Sequence, residues 1–446
     1  EPLVAVADRL VVELGAPAPA GVGTSQLGLS RAAGIAAAAG GRATRLLAGG
    51  ALAVVELPPG TDLYKAAELL RAAGARAVQP DMEVWTTLVP DDPRYPDQYH
   101  HQIINTAPAW DITTGAGDVV IAVVDSGLDT DHPDFVGRLW TNPGETPGNG
   151  KDDDGNGYVD DVNGYDFRSE DGDPNPEPDG KDNNSDGKID EQVNHGTLVS
   201  GIAAPTGNNG FGTAGISWGA KIMALKVFPD DGTTSVSMVV EAIDYAVDNG
   251  ADIINLSIGA SYDTSFTPPI VRAREAGICV VSAGGNSGRA LTNSQSSWAS
   301  PVCNDGPNPL TDNYVLGVAG LAQDQTLAWY SNWDVSTGNF IDVSAPGSNI
   351  LGPGYYDPTY SLFSTYETTN SGTSFACPMV SGLCALVLAN NPGFTPAQVY
   401  AVIRNSADNI DHLNPSYAGA LGMGRINCAR ALGAVAAPAA MTNLTA

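Results

Sequence analysis

Basic residues are scarce in this chain of 446 residues, which has 21 lysines and arginines against 50 aspartates and glutamates. The formal net charge is −29 at pH 7, and the basic clusters that bind nucleic acids or anionic membranes are missing. Uninterrupted apolar runs of about 18 or more residues are missing too, so we expect no membrane span. The sequence starts at Glu1 without a cationic, hydrophobic leader, and we expect any signal peptide to have been removed.

Cysteine is also rare, and an odd number of cysteines cannot all pair within one chain. We hypothesise disulfides between Cys279 and Cys303 and between Cys384 and Cys428. Cys377 is then the odd thiol, and we expect it to pack as a small apolar residue. No CxxC pair or Cys/His spacing indicates a zinc site.

The abundant residues are apolar, at 43% of the chain against 16% charged, which favours large buried cores. Within this apolar background, the most informative segment is residues 371–382, SGTSFACPMVSG. It places Ser374 on a Gly-Thr turn just before an apolar helix, where backbone N–H groups and the helix dipole favour a developing negative charge. An ordinary capped helix start explains such a turn equally well when it stands alone.

Two earlier segments contain the partners that a serine nucleophile needs. The apolar run VVIAVVD ends at Asp125 and predicts a buried parallel strand, while NHGTLVSGIAA places His195 at the start of a small-residue helix. A histidine takes the serine proton as general base, and an aspartate fixes the imidazole tautomer and stabilises its cation. Taken singly, Asp125 is also typical of a turn and His195 of a helix cap.

In the chain order aspartate, histidine, serine, these motifs resemble the subtilisin-like serine proteases, the subtilase family. The resemblance implies that Asp125, His195 and Ser374 form a catalytic triad. It also implies that the side-chain amide of Asn286, in the segment VSAGGNSG, forms an oxyanion hole with the Ser374 N–H. A simple turn residue is the alternative for Asn286.

The same resemblance implies two backbone segments that pair with an extended protein or peptide substrate. Their residues are Leu256, Ser257, Ile258 and Gly259 in one segment, and Ala283, Gly284 and Gly285 in the other. The small residues of these segments leave room for a substrate side chain, and we expect an apolar pocket that prefers large hydrophobic or aromatic residues. A dibasic specificity needs acidic pocket residues that the sequence does not identify. We expect the chain to be a monomer.

An acidic insertion at residues 150–193 contains two similar segments, GKDDDGNGYVDD and GKDNNSDGKIDE. Both alternate oxygen-bearing side chains and then turn at a glycine, as an EF-hand calcium loop does. Asn163 and Val193 replace the final glutamate of that motif, so we expect Asp161, Glu191 or another group to supply the last ligand. A pair of solvated acidic turns is the alternative. The predicted ligands are Asp152, Asp154, Asn156, Tyr158 and Asp160 in the first loop, and Asp182, Asn184, Asp186, Lys188 and Asp190 in the second.

A third calcium site is implied by the resemblance alone. Its ligands would be the side chains of Asp134 and Asn209 and the carbonyl oxygens of Gly207, Phe211 and Thr213. We expect calcium at all these sites to stabilise the fold and to take no part in bond cleavage.

The chain divides into a small α+β unit at residues 1–88, an exposed Pro-rich linker at 89–97, a large α/β unit at 98–435, and an Ala-rich tail at 436–446. In the first unit we predict strands at 3–14, 52–57 and 76–78 and a helix at 61–73. The resemblance implies that this unit is a ferredoxin-like propeptide, which inhibits the protease until self-cleavage between Trp85 and Asp92. An adhesion domain is the alternative.

The predicted fold of the large unit is α/β, a doubly wound parallel sheet of subtilisin type. Its strands are predicted around Ile121, Ala224, Ile254, Val280 and Val315, with helices at 235–249, 374–390 and 395–407. The predicted function is a secreted, calcium-stabilised serine endopeptidase in proenzyme form. The alternatives are a catalytically silent subtilase fold that binds peptides and a calcium-dependent surface protein.

Overall fold

The computed structural model describes residues 5–15, 26–82, 88–308, 311–335, 340–357 and 366–433. The chain forms two compact units, one of residues 1–86 with 433–446 and one of residues 87–432. The predicted Ala-rich tail at 436–446 and the position of Trp85 lie outside the described residues.

The N-terminal unit has the β-α-β-β-α-β order of a ferredoxin-like fold, as predicted. In its antiparallel sheet the first strand lies between the third and the fourth, and the second strand forms an edge. The strands are Ala5–Glu13, Arg42–Leu47, Leu52–Glu56 and Ala77–Met82, and the helices are Gln26–Ala37 and Leu63–Ala72.

The helix Gln26–Ala37 and the strand Arg42–Leu47 are not predicted from the sequence. This helix contains Gly28 and Gly34, which lower helix propensity. Among its described side chains, those that are buried are Ala32, Ile35 and Ala36. The predicted second helix has a clearer start, because the Asp62 carboxylate accepts hydrogen bonds from two N–H groups of its first turn.

In the described part of the large unit, the central sheet has seven strands, which pair in parallel throughout. All five predicted strands are present, and two further strands form the edges of the sheet. In spatial order the strands are Val343–Pro346, Val315–Leu321, Cys279–Ala283, Ile253–Leu256, Val120–Asp125, Lys221–Lys226 and Gly164–Asp166. The predicted parallel sheet is therefore confirmed.

Helices cover both faces of this sheet, which explains why its strands are continuous apolar runs. Along the strand Val120–Asp125, Ile121 and Val123 belong to the core that includes helices His195–Ala203 and Thr373–Asn390. Val120, Ala122 and Val124 belong to the opposite core, which includes helices Val236–Asp248 and Thr267–Glu275. The further helices are Tyr99–Ile103, Thr106–Trp110, Pro396–Ser406 and Cys428–Ala431. Two short ladders pair Ala290–Leu291 with Trp333–Asp334 and Ile350–Pro353 with Tyr366–Asn370.

The helix Thr373–Asn390 is long and apolar enough to cross a membrane by length and composition, with a mean hydropathy of 1.5. However, 78% of this segment is buried inside the large unit. Its apolar character is that of a core helix, and the same helix presents Ser374 at its first turn.

The linker predicted at residues 89–97 is not wholly exposed. Asp92 is buried, and its Oδ2 accepts a 2.6 Å hydrogen bond from the N–H of Asn208. Arg94 N–H donates to the Gly212 carbonyl at 2.9 Å. The proline-rich composition indicates an exposed linker, but hydrogen bonds to the loop 207–213 hold this segment against the large unit.

All five cysteines are free and buried, so the structure contains neither of the predicted disulfides. Burial, and after it the neighbouring Cys279 thiol, raises the pKa of the Cys384 thiol well above the ordinary value. Cys303 instead accepts a hydrogen bond from Ala299 N–H. The proposed pairing was wrong in this structure because sequence spacing does not show which thiols face each other across the sheet.

Candidate active site

Asp125 and His195 meet at the carboxyl edge of the parallel sheet. Asp125 is the last residue of its strand and is 1% exposed, and His195 begins the helix His195–Ala203. The Asp125 Oδ1 lies 2.7 Å from His195 Nδ1 and also accepts the N–H of Ser126 at 2.8 Å. A charged acceptor on Nδ1 holds the proton there, so that Nε2 is left as the basic nitrogen.

Burial and Asp125 act on His195 in opposite directions. Burial lowers the pKa of the imidazole, but the Asp125 charge and its hydrogen bond together raise it above the ordinary value of 6.5. A carboxylate that stabilises the imidazolium makes the neutral ring a stronger base.

Ser374 is the second residue of the helix Thr373–Asn390 and is 9% exposed. It lines a cavity of about 410 Å³ together with Asn286 and Thr373. The ring of the next residue, Phe375, lies 5.4 Å from the imidazole of His195, measured between ring centroids. The helix start and the histidine are thus side by side, with the serine in the electropositive field of the helix N-terminus.

Asn286 is oriented by Thr373, a residue that sequence analysis did not single out. The Asn286 Oδ1 accepts hydrogen bonds from both the N–H and the Oγ1 of Thr373, each at 2.8 Å. Thr373 Oγ1 also accepts the N–H of Gly285 at 3.0 Å. Because two donors hold Oδ1, the amide orientation is defined and Nδ2 remains as a donor. The Gly-Thr pair before Ser374 was the available sequence signal.

The cavity beside Ser374 contains part of the predicted substrate segments. Its lining includes Ile258, Gly259, Ala283 and Gly285, but not Leu256, Ser257 or Gly284. Gly284 lies against the neighbouring strand, where an added Cβ would come within 2.9 Å of the Val318 carbonyl oxygen. Further lining residues that the sequence did not indicate are Ala260, Ser261, Ser287, Arg289, Ala299 and Asn332.

The two acidic loops share one backbone hydrogen-bond pattern. In the first, Asp152 accepts Gly157 N–H and Asp160 accepts Gly150 N–H. Thirty positions later, Asp182 accepts Gly187 N–H and Asp190 accepts Gly180 N–H. Asp154 and Asn156 in the first loop and Asn184 and Asp186 in the second likewise accept the N–H two positions on. The sequence repeat is therefore a repeat in three dimensions.

Each loop also receives a carboxylate from outside its own segment. Glu145 Oε1 accepts the N–H of Asp153 at 2.8 Å and that of Asp154 at 3.2 Å. One carboxylate oxygen from each of Glu145, Asp152 and Asp154 lies within 4.8 Å of the other two. Three hard oxygen ligands at this separation suit a calcium ion. Glu145 precedes the repeat, which is why the repeat did not identify it.

The second loop has the corresponding arrangement with a different outside residue. Asp231 Oδ2 accepts the N–H groups of Asn183 and Asn184. Asp186, Glu191 and Asp231 form an oxygen cluster of the same size as the first. Glu191 was one of the predicted candidates for the missing ligand, whereas Asp231 was not predicted.

Other predicted ligands make different contacts. Lys188 Nζ forms ion pairs with Asp186 and Glu191. The Tyr158 ring packs edge-on against the rings of Tyr165 and Tyr245. The buried Asp161, a candidate for the last ligand of the first loop, accepts hydrogen bonds from the side chains of Tyr245, Asn142 and Asn156.

At the third predicted site, Asp134 Oδ2 accepts the N–H of Thr213 at 3.0 Å and its hydroxyl at 2.8 Å. Asn209 Oδ1 accepts Phe211 N–H at 2.8 Å. Gly212 fits here because a Cβ would come within 2.1 Å of the Asp134 carboxylate. Asp134 and the loop 207–213, which also holds the predicted Gly207, therefore pack closely together.

Comparison with known proteins identifies the protein family. Residues 116–424 match the Subtilase family, Peptidase S8, so the chain belongs to the subtilases, and its parallel sheet has the subtilisin-like fold. Over 345 residues, 77% of this chain, it is 34% identical to halolysin from Haloferax mediterranei. It is 32% identical over 332 residues, 74% of the chain, to the halolysin-like extracellular serine protease Nep from Natrialba magadii.

These matches cover 54% of halolysin and 51% of Nep, so the chain spans about half the length of these relatives. Among solved structures, a protease from Pseudoalteromonas arctica superposes with a TM-score of 0.60 and 26% identity. That alignment covers 78% of this chain and the whole of the other.

Proposed function

We propose that the chain is a serine endopeptidase that hydrolyses proteins through Asp125, His195 and Ser374. The observation that carries this proposal is the 2.7 Å contact between Asp125 Oδ1 and His195 Nδ1, next to a helix start that presents Ser374 to a cavity. Membership of the subtilase family and the similarity to the named protease halolysin support the same reaction.

In this mechanism Ser374 Oγ attacks the substrate carbonyl carbon while His195 Nε2 takes the hydroxyl proton. Negative charge then develops on the carbonyl oxygen, where Asn286 Nδ2 and the Ser374 N–H donate hydrogen bonds. The C–N bond breaks as His195 gives its proton to the leaving amine, and an acyl-enzyme remains. A water molecule then attacks the acyl carbon while His195 Nε2 takes its proton, the bond to Ser374 Oγ breaks, and His195 returns that proton to Ser374 Oγ as the acid product leaves. Asp125 stays ionised and stabilises the imidazolium in both halves.

We further propose that an extended peptide binds along Ile258–Gly259 and Ala283–Gly285, with one side chain in the cavity beside Ser374. The lining contains small apolar residues such as Ala260, Ala283 and Ala299 beside polar ones, and no carboxylate belongs to it among the described residues. Main-chain hydrogen bonds to such segments supply affinity without fixing the sequence of the substrate. This arrangement supports a preference for apolar side chains at the residue before the cleaved bond.

The N-terminal unit is proposed to be a propeptide that is removed by self-cleavage near the junction of the two units. It is a separate compact unit, which is what a removable segment requires. On the other side of the junction, Leu88 N–H donates to Asp111 Oδ1 at 2.6 Å and Asp92 accepts Asn208 N–H. A cut before Leu88 would leave both of these contacts in the mature enzyme.

Calcium is proposed to stabilise the two acidic loops and the Asp134 site. The carboxylate clusters supply hard oxygen ligands, and ions that bind only the folded state stabilise it by mass action, about 2.7 kcal/mol at a hundredfold excess over Kd. Secretion is proposed because the chain is strongly acidic and its relative Nep is named an extracellular protease. External calcium would then keep the sites filled.

A fluorophosphonate probe tests the catalytic proposal, because it reacts only with an activated serine. The chain cut before Leu88 and freed of its N-terminal unit should be labelled on Ser374, and Ser374→Ala should not be labelled. Wild-type protein that is folded and calcium-loaded but carries no label would indicate a subtilase fold that binds peptides without cutting them.

A further inference from the structure

The second acidic loop ends four residues before His195, and one of its cluster oxygens comes from a different part of the fold. Asp231 lies in the connection between the strand Lys221–Lys226 and the helix Val236–Asp248. One of its oxygens lies within 4.8 Å of one oxygen from Asp186 and one from Glu191. The cluster therefore joins the loop to the carboxyl edge of the central sheet.

Asp231 has the features of a ligand and not of a solvated surface acid. It is 6% exposed, and two loop N–H groups occupy its Oδ2. Its Oδ1 is buried and has no hydrogen-bond partner among the residues that the structure describes. Leaving a buried carboxylate oxygen unpaired is costly, and a bound cation would remove that cost.

Lys188 is the competing cation at this cluster. Its Nζ pairs with Asp186 at 3.7 Å and with Glu191, but its side chain is 65% exposed. An exposed ammonium group contributes little to a salt bridge and is easily displaced. A calcium ion places two charges at the same point and accepts six to eight oxygen ligands, which the loop carbonyls and water can complete.

The loop is connected to the catalytic pair through Gln192, the residue after Glu191. The Gln192 carbonyl accepts hydrogen bonds from His195 N–H at 3.0 Å and from Ser126 Oγ at 2.6 Å. Ser126 Oγ in turn accepts Gly196 N–H at 3.0 Å, and Ser126 N–H donates to Asp125. Gln192 N–H also donates to the Asp230 carbonyl at 2.8 Å. Hydrogen bonds from Gln192 therefore connect the loop directly to His195 and, through Ser126, to Asp125.

We propose that a calcium ion bound by Asp186, Glu191 and Asp231 positions the catalytic histidine, so that occupancy of this loop sets the catalytic rate as well as stability. Asp186, Glu191 and Asp231 would hold the ion, and its charge would keep Glu191 close to Asp231. The neighbouring Gln192 carbonyl, which accepts the His195 N–H, would then keep its position at the start of the His195 helix. This inference rests on the proposed protease function. Asp231 and Glu191 are positioning residues in this scheme, because they act on the reaction only through Gln192.

The test uses full-length chain with Ser374→Ala, which prevents self-digestion. Calcium binding is measured by titration calorimetry, and the His195 Nδ1–H resonance is followed by proton NMR during the same titration. Asp231→Asn should weaken one site at least tenfold and should broaden or shift the His195 resonance until calcium is raised further. Glu191→Gln, at a less buried position, should do the same and covers the case in which Asp231→Asn does not fold. Glu170→Gln, an exposed acid of the same insertion, is the charge-matched control and should change neither reading.

In the active chain, Asp231→Asn at low calcium should lower kcat with little change in KM. A misplacement of about 1 Å in such a site lowers the rate about 10²-fold, and excess calcium should restore the rate.

Unchanged calcium stoichiometry and affinity in both variants would overturn the proposal, as would loss of the ion without any change in the His195 resonance. Lys188→Gln should bind calcium more tightly, and loss of the resonance in this variant at saturating calcium would assign the positioning to the lysine. The calorimetry and NMR do not require catalysis, so failure of fluorophosphonate labelling in wild type is a separate result that concerns only the protease assignment.

Discussion

The hydroxyl of Ser257 donates a 2.8 Å hydrogen bond to the carbonyl oxygen of Ser374. In a regular helix that carbonyl would accept the N–H four residues later, but residue 378 is a proline and has no N–H. Ser257 itself accepts a 2.9 Å hydrogen bond from Asn255, whose Oδ1 accepts the hydroxyl of Ser381. A buried polar chain from the neighbouring strand therefore replaces the helical bond that the proposed nucleophile lacks.

We predict that Ser257→Ala lowers the unfolding free energy by about 1–3 kcal/mol, since it leaves the buried Ser374 carbonyl unsatisfied. If the substitution also destabilises the transition state by about 1.4 kcal/mol relative to the bound substrate, kcat falls about tenfold. Urea unfolding of the Ser374→Ala background and steady-state kinetics of the active chain measure the two effects. Ser282→Ala is the matched control, because this buried serine on the adjacent strand donates only a long bond to the carbonyl of Ala283. Equal effects of the two substitutions would contradict the assigned role.

The raised pKa of His195 predicts the pH dependence of activity. A general base works as the neutral imidazole, so kcat/KM should rise with pH through a midpoint above 6.5. The protonated His195 stabilises the fold, and this contribution is fully present below about pH 6.5 and is lost as pH rises through the higher folded value. NMR titration of His195 in Ser374→Ala should show the raised value, and adding Asp125→Asn should lower it. A wild-type midpoint below 6.5 would show that the Asp125 contact does not outweigh burial.

Arg289 predicts which substrates are disfavoured. It lines the cavity beside Ser374, and its guanidinium donates to the carbonyls of Ser296 and Trp298, each at 2.9 Å. No ion pair neutralises it among the residues that the structure describes. A peptide with lysine before the cleaved bond should therefore react poorly, and Arg289→Gln should raise kcat/KM for lysine relative to phenylalanine about fivefold, or about 1 kcal/mol.

The control for this prediction is Arg272→Gln, which removes the same charge from an exposed pair with Asp244 and Asp248. It should leave the ratio of the two substrates unchanged. If Arg272→Gln shifts the ratio as much as Arg289→Gln does, the preference comes from net charge and not from the cavity.

A buried histidine pair predicts loss of stability in acid. His100 and His101 pack against Tyr95, Tyr99 and Trp110 and are almost fully buried. Burial lowers the pKa of His101 to about 4 and that of His100 well below 6.5. Within the described part of the chain, neither ring nitrogen of His100 has a hydrogen-bond partner. In the unfolded chain both imidazoles are exposed and titrate near pH 6.5. The contribution of each histidine to the free energy of unfolding is therefore fully present above that pH, and it falls by about 1.4 kcal/mol per pH unit below it.

His100→Leu should therefore make the unfolding free energy less dependent on pH between 6.5 and 4. Urea unfolding of the Ser374→Ala background at three pH values in this range measures the slope. The exposed His412→Leu should keep the wild-type slope. If His100→Leu keeps it as well, the acid sensitivity does not arise from the burial of His100.

Strong local patterns predicted much of the fold and the segments that carry the site. The strands Val120–Asp125 and Cys279–Ala283 are continuous apolar runs because helices cover both sheet faces, and that pattern is visible in sequence. The helix Gln26–Ala37 lacked such a signal, since its alanines and glycines give little amphipathic contrast. Contacts between distant segments were not predictable: Asp231 reaches the second loop, and Cys279 faces Cys384, only because of how strands and helices pack.

Intact mass over time tests the central claim most directly. Wild type and Ser374→Ala are incubated at the same concentration, with calcium and with chelator, and their masses are followed together. Wild type in calcium should lose a segment ending between residues 85 and 92, whereas Ser374→Ala should stay whole in every condition. If both proteins are cut at the same rate, or if both stay whole while folded and calcium-loaded, Ser374 is not the nucleophile of a self-processing protease.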